Sequence, residues 1–330
     1  MFFLKTCSVI YNIMSEGGRF MIFKRITFKY VMYEWLEGRK GNIKESSFNK
    51  YMFCIEKYLD PYLGEYEFKK IKEKNIFNFY EEDEINKLSN STKNILLIII
   101  QSCISYGVEK KYRRNSLELD IKFQKKRNEI TYFTQKEQNI IEEHINKNMN
   151  IRNLTILFSL YTGVRIGELC ALKGTDIDFI NNTISIDKTV LRVKNPEGKP
   201  KTKLIIGKPK TKTSIRIIPA PAFIINHLKK YIKDKNDFIF TGNDKPKDPR
   251  TLEKYFSELL DRLNIKQINF HSLRHTFATR LREQKVDIKV ISELLGHSSW
   301  KFTQDIYVHA SFESKKNSIN ILGKSRKKSS

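Results

Sequence analysis

The chain has 330 residues, with 61 Lys and Arg against 37 Asp and Glu, for a formal net charge of +24. That length allows more than one hydrophobic core, and the positive excess favours a polyanionic partner, nucleic acid ahead of an anionic membrane surface. No stretch reaches the ~20 apolar residues of a membrane span, and Cys7, Cys54, Cys103 and Cys170 lack the paired spacing of a zinc knuckle or a disulfide framework.

Residues 1–24 form an extension to which the sequence assigns no structure. Met1 to Met14 is mildly apolar but has neither a basic n-region nor a cleavage site, which argues against a signal peptide. Met14 and Met21 are alternative starts. The reduced, scattered thiols fit a cytoplasmic protein, and the positive excess would place it with the nucleoid.

Helical spacing begins at Phe28, with Val31, Met32, Trp35 and Leu36 on one face. Beyond Gly38 and Gly41, Ser46 and Ser47 offer an N-cap, and Phe48, Tyr51, Met52, Ile55 and Leu59 continue the pattern until Pro61 stops it. A short helix is predicted near Ile76 to Tyr80. Another runs from Ile95 to Tyr106, capped by Ser91 or Thr92 and ended by Gly107. Together, residues 25–108 read as a small basic bundle. The polar stretch 109–129, with Lys110, Lys111, Arg113, Arg114, Lys125, Lys126 and Arg127, reads as an interdomain linker.

Residues 130–322 form the second domain, followed by a basic tail, 323–330. Thr134 and Glu137 have capping-box spacing ahead of an apolar helix. Leu154, Leu157, Phe158 and Tyr161 mark the next helix, broken at Gly163. The period then changes: Asn181-Asn182 is a turn signal, and strands are predicted around Ile184 to Ile186, Thr189 to Val193, Leu204 to Ile206 and Ile215 to Ile218. Helical patterns resume at Ala220. The fold class is mostly α with a small antiparallel β-sheet, an N-terminal helical bundle joined to an α+β domain.

Four clusters in the second domain carry chemistry. Arg165 follows a glycine break in Tyr161-Thr-Gly-Val-Arg-Ile-Gly-Glu-Leu169; taken singly it is a surface arginine paired with Glu168. The segment Pro209 to Pro219 reads as a basic hairpin tip between two strands, where Lys210 or Lys212 could protonate a leaving alkoxide; a solvated turn is the plainer alternative. His271-Ser-Leu-Arg-His275 opens an amphipathic helix, with His271 and Arg274 sharing a face. The i, i+4 spacing of His271 and His275 would also suit a metal, but no Glu follows His271 and no third ligand lies nearby. Finally, Leu294-Leu-Gly-His-Ser-Ser299 presents His297 after a helix end, and Tyr307 follows ten residues later.

Breaking a phosphodiester without a metal needs cations aimed at the non-bridging oxygens, a nucleophile, and a proton for the departing oxygen. Taken together and in this order, the clusters resemble the tyrosine site-specific recombinases, the phage integrase family. The Arg165 cluster is similar to its Thr-Gly-x-Arg-x-x-Glu-Leu motif, His271 to His275 to its His-x-Leu-Arg-His box, and Leu295-Gly-His297 with Tyr307 to its closing box. More loosely, Phe28 to Gly107 looks like the family's core-binding domain.

The resemblance implies that Tyr307 attacks the scissile phosphate to form a 3′-phosphotyrosyl bond. Arg165 and Arg274 would clamp the non-bridging oxygens, His297 would donate a further hydrogen bond, and His271 would exchange a proton with the phenol. The hairpin lysine, Lys210 by the family's Lys-Thr pattern with Lys212 as the alternative, would protonate the 5′ oxygen. Neither metal, cofactor nor ATP is implied, and no phosphate-binding glycine loop or carboxylate cluster for magnesium stands in the sequence. The implied partners are double-stranded DNA, bound as a homo-tetramer on paired recombination sites, and a directionality or DNA-bending factor. Phe312, Ile319, Ile321 and Leu322 are expected to pack on a neighbouring subunit. Residues 1–24 are too few for the arm-site DNA-binding domain that many integrases carry. Two other functions stay open: a non-catalytic DNA-binding regulator or decayed recombinase, and a type IB topoisomerase.

Overall fold

Thr27 accepts the backbone N–H of Tyr30 on its side-chain oxygen (3.3 Å) and so opens the first helix. The computed structural model describes residues 10–16, 19–124, 131–195, 198–209 and 211–297. Two compact units divide the chain, residues 1–128 and 129–330.

Ahead of Thr27, β1 (Ile10–Glu16) and β2 (Arg19–Arg25) pair antiparallel, from Ile10 opposite Arg25 to Glu16 opposite Arg19. This hairpin lies where the sequence reading assigns nothing. Its signal is the Gly17-Gly18 dipeptide between two runs rich in Ile, Phe and Tyr.

In α1 (Phe28–Glu37) the expected face of Phe28, Val31, Met32, Trp35 and Leu36 is buried. α2 (Glu45–Cys54) starts after Lys44, so Ser46 and Ser47 fall in its first turn and do not cap it. Pro61 does not stop the helical path either. Ile55–Leu59 takes a π-helical turn, and α3 (Asp60–Leu63) follows with Pro61 at its start. A proline removes one N–H and crowds the carbonyl four residues back, and a wider turn just before it accommodates both.

α4 (Glu73–Glu81) and α5 (Asp83–Asn86) lead to the long α6 (Asn90–Glu109), capped by Ser89, which accepts from the backbone of Thr92 at 3.2 Å. Gly107 lies inside α6 and does not end it. A Cβ at that position would sit 2.1 Å from Cε1 of the fully buried Phe68, so the glycine is there for close packing.

The basic stretch after α6 is tied to this unit through Gln124. Tyr112 donates to Glu34 Oε1 (3.2 Å), and the side-chain amides of Asn94 and Asn90 donate to the carbonyls of Phe123 (3.1 Å) and Gln124 (2.8 Å). Leu119 is buried, and the Phe123 ring meets Tyr80 at 4.8 Å. Leu117, Leu119, Ile121 and Phe123 alternate with polar residues, and all four pack on the helical core. A freely solvated linker would not bury that face.

In the second unit, α7 (Gln135–Lys147) carries the expected capping box between Thr134 and Glu137. α8 (Ile151–Thr162) is the central helix, buried nearly all round. Its buried hydroxyls are satisfied within the helix: Ser159 donates to the Thr155 carbonyl (2.9 Å) and Thr162 to that of Phe158 (2.7 Å). The short α9 (Ile166–Cys170) follows.

Among the described residues of this unit, the expected single sheet is two. β3 (Ile177–Asp178), β4 (Thr183–Ile186) and β7 (Arg216–Pro219) form one ladder; β5 (Thr189–Lys194) and β6 (Thr202–Gly207) form another. All pairings are antiparallel. Consequently the segment between Gly207 and Arg216 is not a hairpin tip. β6 pairs back on β5 through the turn at Asn195, whose N–H donates to the Lys201 carbonyl (2.9 Å), and the chain then crosses to pair β7 with β4. Among the described residues, four further helices follow in this unit: α10 (Ala222–Tyr231), α11 (Pro249–Arg262), α12 (His271–Glu283) and α13 (Ile288–Leu295). Its core gathers Leu154, Leu157 and Phe158 of α8, Ile184 and Ile186 of β4, Ile218 of β7, Phe256 of α11 and Leu273 of α12.

Candidate active site

The predicted cations meet at the C-terminal end of α13. This helix stops at Gly296, which is left-handed (φ 63°), so the last carbonyls have no further turn to accept from. Three arginines use them. Arg216 Nε donates to the Leu294 carbonyl at 2.7 Å, Arg274 Nη2 to that of Leu295 at 2.6 Å, and Arg165 Nη2 to that of Gly296 at 3.2 Å. Three consecutive peptide oxygens thus seat three guanidinium groups. The partial negative charge of a helix C-terminus favours each contact.

Each arginine arrives from a different element. Gly163 ends α8 in the left-handed conformation (φ 63°), and its carbonyl accepts from Arg274 Nη1 at 2.7 Å. The chain leaves that break and places Arg165 at the start of α9, where its backbone N–H donates to Glu168 Oε2 (3.0 Å) and its Nη1 pairs with Oε1 (2.7 Å). Arg274 projects from α12 and is 2% exposed, while the Arg165 side chain keeps 34% of its surface. Arg216 comes from β7, where it alternates with the exposed Ile217 and so faces inward with Ile218.

Glu168 is the anion among these cations. Its side chain is 2% exposed, and it bridges Arg165 and Arg216. Burial pushes its carboxyl up, but the hydrogen bond and charge of Arg216, with the charge of Arg165, outweigh burial and hold it below its usual value.

The imidazoles are pushed the other way. Loss of hydration, then repulsion from His275, Arg274 and Arg165, lowers His271 to about 4, although the residue as a whole is exposed. His297 falls to about 3, from loss of hydration and then the charges of Arg274 and Arg165. His275 falls to about 4, and its ring meets that of His271 edge to face, centroids 4.9 Å apart. All three are neutral at neutral pH, within a cluster whose fixed charges are predominantly positive. Such a cluster takes a tetrahedral anion: arginine forks for its oxygens and neutral imidazoles that can donate or accept a proton.

Of the sequence candidates, Arg165, His271, Arg274 and His297 are brought together. Tyr307 and Lys210 lie outside the described residues, as do Phe312, Ile319, Ile321 and Leu322. For Lys212 only the backbone is described, at the start of a short 3-10 turn, Lys212–Ser214. The sequence reading assigns no role to Arg216 and treats Glu168 only as a surface partner. The signal for Arg216 is its place two residues before Ile218 in a strand with one buried face. Among the described residues, no group of three or more His, Cys, Asp or Glu is placed to hold a metal ion, and no helix is long and apolar enough to cross a membrane.

Residues 131–314 match the phage integrase family, and residues 27–89 match the phage integrase N-terminal SAM-like domain. The chain belongs to the phage integrase family. As a tyrosine recombinase, this family member belongs to a class of enzymes that break and rejoin DNA strands. A XerC-like tyrosine recombinase of Caldanaerobacter subterraneus subsp. tengcongensis is 30% identical over 337 residues, spanning 93% of this chain and 85% of the relative. The integrase of Staphylococcus phage L54a is 36% identical over 166 residues, 45% of each chain. Among solved structures, the Tn1549 transposon integrase bound to transposon right end DNA shares the fold of this integrase-family chain, with a TM-score of 0.75 at 22% identity, over 90% of this chain and 100% of that one. A lambda integrase tetramer bound to a Holliday junction gives 0.63 at 16% identity, over 86% and 77%.

Proposed function

We propose that this chain carries out site-specific recombination of duplex DNA through a covalent 3′-phosphotyrosyl intermediate on Tyr307. The phenol oxygen attacks phosphorus and the 5′ oxygen departs, so one phosphodiester is exchanged for another and the bond energy is kept for rejoining. His271, neutral at neutral pH, takes the phenolic proton. Lys210, or Lys212 in its place, gives a proton to the leaving 5′ oxygen. Arg165 and Arg274 hold the non-bridging oxygens, and His297 donates a hydrogen bond to them. A free phenol, with its pKa near 10, needs such a cationic and basic setting to attack at neutral pH. Neither metal nor ATP enters the reaction. Supporting this reading above all is the seating of Arg165 and Arg274 on adjacent carbonyls of the α13 end, beside His271 and His297.

The working unit in this proposal is a homo-tetramer on two paired sites, with the helical unit and the catalytic unit both engaging the duplex. A suicide duplex carrying the recognition site, nicked so that the cleaved strand cannot be rejoined, provides the test. The native chain should leave a protein–DNA adduct, and Tyr307→Phe should leave none while still binding the duplex. An adduct that persists in Tyr307→Phe removes the proposal. The absence of any adduct with the native chain favours a DNA-binding regulator, and an adduct without two-site recombination favours a topoisomerase.

A further inference from the structure

Of the three arginines seated on α13, Arg216 donates from its guanidinium to both oxygens of Glu168. Its side chain is 7% exposed, and its donors go inward: Nη2 to Glu168 Oε2 at 3.0 Å, Nη1 to Glu168 Oε1 at 3.3 Å and to the Ser214 carbonyl at 2.9 Å, and Nε to the Leu294 carbonyl. A Cβ on Gly296 would come within 3.0 Å of its Cδ and Nη1, so the helix end is pressed against it. All three nitrogens of this guanidinium thus have protein acceptors, and both Nη atoms reach Glu168, which commits the group to that carboxylate.

We infer that Arg216 is a positioning residue that neutralises Glu168, leaving the charge of Arg165 available to the scissile phosphate. The argument is one of local charge. Glu168 is needed to orient Arg165, because it accepts both the backbone N–H and the Nη1 of that residue. A buried carboxylate with a single cationic partner would also cancel that partner's charge, which is the charge the phosphate must feel. With Arg216 on the other edge of the carboxylate, the three side chains together carry one positive charge. Replacing Arg216 with a neutral residue brings the sum to zero, and neutralising Glu168 as well restores it to one. Arg216 thereby links three pieces of the site: the crossover before β7 through Ser214, the Arg165–Glu168 pair, and the helix end that precedes His297. This inference rests on the reading that Arg165 holds the phosphate.

The test uses the full chain and the suicide duplex, with single-turnover adduct formation, duplex binding and thermal unfolding measured for each variant. Arg216→Met is expected to slow adduct formation by about ten- to a hundredfold while binding the duplex within a few-fold of the native chain. Arg216→Met combined with Glu168→Gln is expected to recover at least about tenfold of that loss, because the charge sum returns to its native value. A part that merely braces the fold would not be rescued by removing a second buried contact. A double variant that folds and binds but is as slow as Arg216→Met, or slower, overturns the inference. So does a native rate in Arg216→Met. If Arg216→Met does not fold, Arg216→Lys keeps the charge without the fork and is expected to react within about tenfold of the native rate. A folded, duplex-binding Lys variant without activity overturns the inference. Arg165→Ala separates the two readings: if it still forms adduct at the native rate, the assignment of Arg165 fails, whatever Arg216 does.

Discussion

Arg274 donates to the carbonyl oxygen of Gly163 at 2.7 Å, joining the left-handed break after α8 to the arginine of α12. The break is fixed twice over. Gly163 has a φ of 63°, and a Cβ there would lie 2.4 Å from Cδ1 of Phe277. Gly163→Ala is therefore expected to strain the backbone, displace Phe277 and shift the Gly163 carbonyl from under Arg274. Left-handed strain costs about 1 kcal/mol and overpacking another 1–3 kcal/mol. Urea unfolding should show a loss in that range, with adduct formation falling further than duplex binding. A variant as stable and active as the native chain would contradict the linkage.

Arg274→Lys should be nearly as damaging as removal. A lysine keeps the charge but cannot span the carbonyls of Gly163 and Leu295 with one planar fork. Adduct formation is expected to fall on the order of a hundredfold or more, the scale for losing a preorganised donor at a developing charge. Duplex binding, distributed over many phosphate contacts, should change little. Equal losses in binding and chemistry would count against the role.

The imidazoles give a pH signature. His271, His275 and His297 stand at about 4, about 4 and about 3 against an ordinary 6.5. The unfolded chain takes up their protons as pH falls below 6.5, whereas the folded chain holds out until about 4 or 3. Stability from the neutral rings is thus fully present above pH 6.5 and declines from there toward pH 4. The melting temperature of the free protein should drop between pH 7 and pH 5, and His275→Asn should flatten that drop. A pH-independent melting temperature over this interval would show that the rings are not depressed.

Gly107→Ala sets two effects against each other in the helical unit. Helix propensity alone would stabilise α6 by about 0.5–1 kcal/mol, but the new methyl meets the Phe68 ring at 2.1 Å inside a packed core. Overpacking, at about 1–3 kcal/mol, is larger. A net loss of stability is expected in denaturant unfolding, and a gain would show that Phe68 can move aside.

Local pattern in the sequence carried much of this structure. The buried face of α1, the capping box of Thr134 and Glu137, and the break at Gly163 follow from spacing and backbone chemistry within one turn of helix. Arg165, His271, Arg274 and His297 were legible because each sits in a distinctive short motif. What was not legible depends on partners far along the chain. Nothing near Ile215 to Pro219 reveals that β7 pairs with β4, so the crossover could not be read locally, and the spacing of Arg216 to Ile218 gives its face of the strand but not the partners it meets there. Gly107 and Pro61 were ambiguous for another reason. A glycine ends helices or admits a neighbouring ring, and a proline stops a helix or begins the next segment; only the packing around them decides. The alternation of Leu117, Leu119, Ile121 and Phe123 was present but masked by the surrounding lysines and arginines.

The oxygens that seat the three arginines belong to peptide groups, which every amino acid supplies. Side-chain replacement at position 294 leaves its oxygen in place, provided the α13 register is kept; at 295 it must also fill an apolar gap, since Leu295 is fully buried. Gly296 has no such latitude, because its left-handed φ stops the helix there and a side chain would press on Arg216. The inheritable instruction at this corner of the enzyme is thus where the helix stops, and a one-residue insertion within α13 should be more harmful than most exchanges of what it displays.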